Sequence, residues 1–189
     1  MRPGNGLRRR YTEEQIRRKV TAIARRIDRA YADAGSGLLL VGVLKGSLFF
    51  LADLAREITV PAVIDFVRMS SYRGGTIPRG KARLAQDIET DAAGKHVLVV
   101  EEIVDTGRTV RALRRHFERK GPRSVRFCAL VDKRTRREAG TTVDFPGFRA
   151  GSGFLVGYGM DYADLGRELP HIYELTQRKH VTPRSGGRE

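Results

Sequence analysis

Cysteine is scarce in this 189-residue sequence: Cys128, in the apolar run VRFCALV, is the only one. A lone cysteine excludes a disulfide framework and a cysteine metal cluster, and it favours a reducing compartment. Long apolar runs are also missing. No segment approaches the roughly 18 residues of a membrane span, and the N-terminal stretch MRPGNGLRRRYTEEQ lacks the apolar centre of a signal peptide. We expect a soluble, cytoplasmic protein without membrane contact.

Several common site motifs are absent as well. The segment LKGS lacks the GxxxxGK[ST] pattern of a Walker loop, and GSGFLVG lacks GxGxxG spacing and a following helix. A nucleotide triphosphatase and a dinucleotide-binding protein are therefore disfavoured. No pair of histidines has the spacing of metal ligands, although the chain has four: His96, His116, His171 and His180.

Charge of one sign dominates the composition, with 36 lysines and arginines against 22 acids and a formal net charge of +14. Such a balance suits an anionic partner, which includes nucleotides, pyrophosphate and nucleic acid, but it also suits an arginine-rich solvated surface. The basic clusters lack interleaved aromatic residues, so nucleic acid is the less favoured partner.

The order of apolar and polar segments predicts an α/β fold. Thr12 and Gln15 form a capping-box pattern before a helical repeat that ends near Gly35, and Ser47 is placed to cap the helix SLFFLADLAREI. Apolar strands alternate with these helices and with RTVRALRRHFERK; the strand candidates are LLLVGV, VPAVIDFVRM, KHVLVV and SVRFCALV. This alternation predicts a mainly parallel twisted sheet with helices on both faces.

The length suits one domain, and the chain shows neither an internal repeat nor a linker. We predict a single domain over residues 1–189, with flexible tails at about 1–11 and 178–189. Ligands of parallel sheets bind beyond the carboxyl ends of the strands. The polar loops LKGS, EEIVDTG and DKRTRR follow three such strands, and we expect them to converge on one crevice.

The segment EEIVDTGRT carries chemistry suited to a phosphorylated sugar. Backbone N–H groups at the start of the helix after Gly107, with the hydroxyls of Thr106 and Thr109, suit a phosphate. Glu101 and Glu102 suit sugar hydroxyls or hydrated Mg2+. Taken alone, the acids could equally cap the helix and Gly107 could simply form the turn.

This segment resembles the PRPP-binding motif of the type I phosphoribosyltransferases. Three further segments, GVLKGSLFFLADL, ALVDKRTRR and FLVGYGMDYADLGRELPHI, resemble the pyrophosphate, purine-selecting and base-stacking segments of the hypoxanthine-guanine phosphoribosyltransferases, and SSYRGGT resembles their mobile loop. The motifs occur in the family's order from about residue 12 to 175. The resemblance implies the type I fold with a small hood built from the terminal segments, and a homodimer or homotetramer.

The resemblance also implies a division of the site. PRPP and its ribose phosphate would be bound by Glu101, Glu102, Asp105, Thr106, Gly107, Arg108 and Thr109. Pyrophosphate would be bound by Leu44, Lys45, Gly46 and Arg167, with the Leu44–Lys45 peptide in an unusual conformation. Mg2+ would be held by Glu101, Glu102 and Asp161. The loop around Ser71 and Tyr72 would close over the site.

The implied second substrate is a 6-oxopurine. Lys133 donates hydrogen bonds but cannot accept them, so it would select hypoxanthine or guanine over adenine. Phe154 would stack on the base, carbonyls near Leu155 and Asp161 would receive a guanine amino group, and Asp105 would act as general base toward nitrogen 7. Taken alone, Lys133 fits a solvated basic run and Phe154 fits ordinary core packing.

One residue departs from the family pattern. The second acid of the motif is usually aspartate in this family, whereas this sequence has Glu102, whose extra methylene moves the carboxylate by about one carbon–carbon bond. Two other functions remain open at this point. One is an RNA-binding regulator on the same fold, of the pyrimidine-attenuation type, which the basic charge favours; the other is a xanthine or uracil transferase, which differs mainly in the base pocket.

Overall fold

The computed structural model describes residues 6–35, 37–70 and 83–176. Twelve elements occupy these residues, in the order β1 (Leu7–Tyr11), α1 (Glu13–Ala30), β2 (Leu38–Leu44), α2 (Leu48–Glu57), β3 (Ala62–Ser70), β4 (Arg83–Gln86), β5 (His96–Val104), α3 (Arg108–Glu118), β6 (Ser124–Lys133), β7 (Phe145–Ala150), β8 (Phe154–Val156) and β9 (Ile172–Leu175). In this part of the chain no helix is long and apolar enough to cross a membrane.

The main sheet has six strands in the order β4-β3-β2-β5-β6-β7. Only the β3–β4 pair is antiparallel; the other four pairs are parallel. The strands β2 and β5 are apolar at consecutive positions because both of their faces are covered. Helices α1 and α2 pack with Leu38 and Leu40 on one face, and α3 packs with Leu39 and Val41 on the other. The predicted α/β architecture is confirmed.

Local signals explain where two of the helices begin. The predicted capping box is present, since the Thr12 hydroxyl accepts from the Gln15 N–H and the Gln15 side chain accepts from the Thr12 N–H. Ser47 occupies the predicted N-cap position of α2, but the prediction that its side chain caps the helix is wrong. Its hydroxyl instead donates to the Val43 carbonyl at 2.8 Å, which ties the loop back to β2.

A second, three-stranded antiparallel sheet in the order β1-β9-β8 forms the hood. It joins the two ends of the described chain, because Leu7 of β1 pairs with Leu175 of β9. The prediction of a flexible tail is therefore wrong for residues 7–11, where hydrogen bonding to β9 orders the backbone. The other predicted tail, residues 178–189, lies outside the described residues.

Candidate active site

The carboxyl ends of β2, β5 and β6 lie side by side at one edge of the sheet. Because β5 pairs in parallel with both β2 and β6, the loops that begin at Lys45, Asp105 and Arg134 start from neighbouring positions. The loop that follows β8 covers the same edge, since the Gly159 backbone lies against Gly46. The predicted crevice is thus present, with the hood as its fourth wall.

Glu101 and Glu102 lie within β5, which continues to Val104. Successive side chains of a strand point to opposite faces, so the two carboxylates enter different cavities. Glu101 lines a cavity of about 160 Å³ with the loop 104–109, and Glu102 lines one of about 450 Å³ with Asp161. Glu101 is 7% exposed, and Glu102 is half-buried.

Burial dominates the electrostatics of both carboxyls. Burial raises the pKa of Glu101 to about 8, and the neighbouring Glu102 raises it further while Arg137 opposes the shift. Burial also raises the pKa of Glu102 to about 7, opposed by its own backbone N–H and by Arg167. Glu101 Oε1 is buried without a hydrogen-bond partner among the described residues. A nearby cation would stabilise the charged form of either group.

The chemistry of these donors fits Mg2+. The ion prefers carboxylate oxygens, keeps several waters and takes further ligands from substrate phosphates, so one or two protein carboxylates suffice. Glu102 and Asp161 share the larger cavity and offer such oxygens, and Glu101 holds an unpartnered one. No group of three or more His, Cys, Asp or Glu side chains forms a ready-made metal cage within residues 6–35, 37–70 and 83–176.

The turn between β5 and α3 forms the smaller cavity. Gly107 has a φ of 82°, a left-handed conformation that glycine adopts without strain, and it is the N-cap of α3. The residues at this turn that line the cavity are Asp105, Thr106, Gly107, Arg108 and Thr109, all of them predicted to bind the ribose phosphate. The N-terminus of α3 therefore faces a space in which an anion would meet backbone N–H groups.

The loop after β2 contains a cis peptide between Leu44 and Lys45, the bond singled out by the sequence resemblance. The Lys45 side chain is exposed, and its Nζ lies 3.8 Å from Asp164 Oδ1. Gly46 is buried: a Cβ there would overlap the Glu102 carboxylate. Gly46 thus permits contact between this loop and β5.

Gly159 is a site residue that the sequence reasoning missed. Its φ is 95°, and a Cβ there would overlap the Gly46 carbonyl. The Gly159 carbonyl accepts from Arg167 Nη1 at 2.7 Å, and Arg167 Nη2 lies 2.6 Å from Asp161 Oδ1. Asp161 Oδ2 also accepts from the Asp164 N–H at 2.8 Å. The sequence shows only that a glycine is present in the segment VGYGMD, and this does not indicate that Gly159 contacts Gly46.

The larger cavity gathers most of the residues assigned to the purine. Lys133 is buried at the end of β6, where its Nζ donates to the Gly153 carbonyl at 2.5 Å, and burial lowers its pKa. Phe154 is 40% exposed and meets Tyr162 edge-on, with ring centroids 5.6 Å apart. The predicted residues that line this cavity are Glu102, Asp105, Lys133, Phe154, Leu155 and Asp161.

Two arginines after Lys133 belong to the site, although the sequence reasoning treated DKRTRR beyond the lysine as a basic run. Arg136 forms an ion pair with the Asp105 carboxylate and lines the larger cavity. Arg137 donates to the carbonyls of Val104, Asp105 and Lys133. The sequence did not indicate either contact, because arginines that bind other parts of the protein and arginines exposed to solvent look alike in a basic run. The predicted loop residues Ser71 and Tyr72 lie outside the described residues.

Comparison with known proteins agrees with this geometry. The Phosphoribosyl transferase domain family matches residues 10–163. The chain belongs to the phosphoribosyltransferase family. The hypoxanthine phosphoribosyltransferase of Escherichia coli (strain K12) is 41% identical over 160 residues, which are 85% of this chain and 90% of the relative. The hypoxanthine-guanine phosphoribosyltransferase of Mycobacterium avium is 39% identical over 171 residues, covering 88% of this chain and 84% of that protein.

Solved structures show the same relationship. A hypoxanthine-guanine phosphoribosyltransferase from Bacillus anthracis superposes with a TM-score of 0.81 and 39% identity, covering 88% of this chain and 96% of that one. A hypoxanthine phosphoribosyltransferase from Trypanosoma cruzi superposes with a TM-score of 0.82 and 35% identity, covering 89% and 96%. The predicted resemblance to this branch of the phosphoribosyltransferases is confirmed.

The contact between Gly159 and Gly46 gives a first prediction. Gly159→Ala would push the hood away from the Lys45 loop, and we expect phosphoribosyl transfer to slow by at least about tenfold, since small misplacements at a site are costly. The matched control is Gly94→Ala, which also has a positive φ, 67°, but no atom within 4 Å of its Cβ. Equal loss of activity in both variants would attribute the effect to backbone strain alone. Initial rates and thermal unfolding curves provide the measurement.

Proposed function

We propose that this phosphoribosyltransferase moves the 5-phosphoribosyl group of PRPP to nitrogen 9 of hypoxanthine or guanine, giving IMP or GMP and pyrophosphate in purine salvage. The observation that carries the proposal is the cavity of about 450 Å³ that holds Lys133, Phe154 and Asp105 together. The names of the relatives from Escherichia coli and Mycobacterium avium support the same reading.

Base selection would depend on Lys133. Its ammonium has three donors, of which one is already used by the Gly153 carbonyl. A second donor can meet a 6-oxo group, whereas the 6-amino group of adenine would present a donor to a donor. Phe154 is 40% exposed and lines the same cavity, where its ring would stack on the base. The backbone carbonyls near Leu155 and Asp161 would accept from a guanine amino group.

Binding of the leaving group would fall to the loop after β2 and to the hood. Lys45 is exposed, and Gly46 lies directly beside Glu102. Arg167 adds a second cation, which the Gly159 carbonyl and Asp161 hold in place. Pyrophosphate carries high negative charge as it departs, so these cations would stabilise the transition state more than the ground state.

Asp105 would act as the general base or hydrogen-bond acceptor toward purine nitrogen 7. Its carboxylate lies in the same cavity as Lys133 and is paired with Arg136, from which the base must free it. Bond breaking at the anomeric carbon develops an oxocarbenium-like centre. The half-buried cavity would limit access of water to that centre.

We further propose that transfer depends on Mg2+. The residues that would hold the ion are Glu102 and Asp161, with Glu101 at the ribose side. When bound, Mg2+ would neutralise charge on the pyrophosphate group and so make it a better leaving group. The protein's own contribution is to keep these carboxylates in place, which Gly46 does for Glu102 and Arg167 does for Asp161.

The chain is proposed to work in the cytoplasm as a homodimer or homotetramer. Four large apolar side chains of α2 and β3 are at least 39% exposed, namely Leu48, Phe49, Val63 and Ile64. A second copy of the chain would cover such surface. Light scattering of the purified protein tests this, and a monomer at assay concentrations would contradict it.

The function itself is tested by measuring nucleotide formation from PRPP with hypoxanthine, guanine, xanthine, adenine and uracil. We expect product with the first two bases. Product with uracil or xanthine alone would instead support those transferases. Absence of any product, together with tight salt-resistant binding to one RNA sequence, would support the regulator, because binding carried by charge alone weakens steeply with salt.

Lys133→Gln, measured against the same bases, tests the base pocket. Glutamine carries both a donor and an acceptor, so we expect the preference for hypoxanthine over adenine to fall by about tenfold or more. Lys95→Gln, a change of the same kind outside the cavities, should leave the preference unchanged. A Lys133→Gln enzyme with the original preference would show that this lysine does not select the base.

Glu102→Asp tests the departure from the family pattern. The shorter side chain withdraws from Gly46, and we expect kcat/KM for PRPP to rise and the Mg2+ dependence to shift, by about a factor of ten for a displacement of this size. Glu102→Ala should impair PRPP use more than purine binding. The measurement is initial rate against PRPP at several Mg2+ concentrations. Identical curves for the three proteins would place Glu102 outside the sugar site.

A further inference from the structure

Arg137 is a largely buried cation at the end of the sheet, and the proposed reaction assigns it no role. Its side chain is 12% exposed. Nε donates to the Asp105 carbonyl at 3.0 Å, and Nη2 donates to the carbonyls of Val104 and Lys133, both at 3.0 Å. Nη2 also forms an ion pair with Asp132, whose side chain is 1% exposed. The guanidinium is thus paired within the protein.

Through these acceptors Arg137 connects β5 and β6 beyond the last residue pair of the two strands. The last paired residues of β5 and β6 are Val104 and Asp132. Arg137 reaches the carbonyls of the residues that follow this last pair along the chain, Asp105 and Lys133. It therefore continues the connection between β5 and β6 by one further step, with side-chain N–H groups in place of backbone ones. Only arginine offers several donors in a rigid plane for this purpose.

We propose that Arg137 is a positioning residue that fixes the separation of Asp105 and Lys133 and thereby helps to select the base. The inference rests on the proposed function, in which Asp105 meets nitrogen 7 and Lys133 meets the 6-oxo group. Those two purine atoms lie on one edge of a rigid ring, so their partners must be held at a matching separation. A clamp on both backbones, rather than on either side chain, uses no donor or acceptor of the Asp105 and Lys133 side chains.

The next residue extends the same clamp to the phosphate turn. The Glu138 N–H donates to the Thr106 carbonyl at 3.0 Å, so three successive carbonyls, at residues 104, 105 and 106, accept from residues 137 and 138. The Glu138 carboxylate pairs with Arg108 and Arg111 of α3. With its carbonyls engaged on this side, the turn at Gly107 is held in one conformation before phosphate arrives. Such preorganisation lowers the cost of binding.

Arg134 provides a matched control. It also bonds to Asp132, through Nε and Oδ2 at 3.1 Å, but its side chain is 60% exposed. The described residues show no bond from Arg134 to a strand-end carbonyl. A change of arginine to lysine at position 134 therefore alters the same buried acid without touching the clamp.

The experiment compares Arg137→Lys and Arg134→Lys with the unmodified enzyme. Lysine keeps the charge beside Asp132 but cannot donate to three separate carbonyls in one plane. Well below the measured Tm of each protein, we expect Arg137→Lys to lower kcat/KM for hypoxanthine by about a hundredfold. We expect the hypoxanthine-over-adenine preference to fall by about tenfold. Arg134→Lys should retain both values within about twofold.

The base preference distinguishes positioning from stability, since partial unfolding lowers the rates for both bases equally. An unchanged preference in Arg137→Lys would overturn the inference, and so would a chain that fails to fold with lysine at this position, because either result assigns Arg137 a purely structural role. The proposed function fails separately, because the unmodified enzyme would then form no nucleotide from PRPP with hypoxanthine or guanine. A preference altered by Lys133→Gln but not by Arg137→Lys contradicts the inference alone.

Discussion

Parallel pairing of β2, β5 and β6 is the constraint on which the site depends. In a parallel sheet every strand delivers its following loop to the same edge, so three chain segments far apart in sequence begin there as neighbours. Each segment brings different chemistry: a lysine and a close-packed glycine after β2, a helix N-terminus after β5, and a second lysine after β6. The hood and the loop after β8 form the fourth side, with the ring of Phe154 and the carboxylate of Asp161.

Buried charged groups determine the electrostatics of this edge of the sheet. Glu101, Asp132 and the guanidinium groups of Arg137 and Arg167 are largely withdrawn from water here, which costs free energy unless each finds a partner. Arg167 forms an ion pair with Asp161, and Arg137 forms one with Asp132. Glu101 has no such partner among the described residues, and its raised pKa expresses that cost. The two arginines are thus neutralised by acids of the protein, whereas the cavity beside the turn at Gly107 contains a carboxylate that a bound cation would stabilise.

The sequence predicted the sheet and its order of segments because β2, β5 and β6 are apolar runs long enough to be recognised without tertiary context. It did not predict the extent of β5: the apolar run VLVV stops at Glu101, but pairing with β6 continues to Val104. Short strands such as β8, with three residues, carry too little pattern to be recognised. Arg137 was missed because its burial is decided by carbonyls from another strand, which no local pattern encodes.

The ion pair between Arg136 and Asp105 would oppose the proposed contact between Asp105 and the purine. In the proposed reaction the purine would compete with a counter-ion that belongs to the same chain. Its apparent affinity would then be its intrinsic affinity multiplied by the fraction of molecules in which Asp105 is free. Arg136 is 65% exposed. Ion pairs of this exposure are worth about 0.2–1 kcal/mol, which would limit the reduction in apparent affinity to about sixfold. Arg136 thus neutralises the Asp105 carboxylate when no base is bound, and the proposed cost is a small decrease in the apparent affinity for the purine.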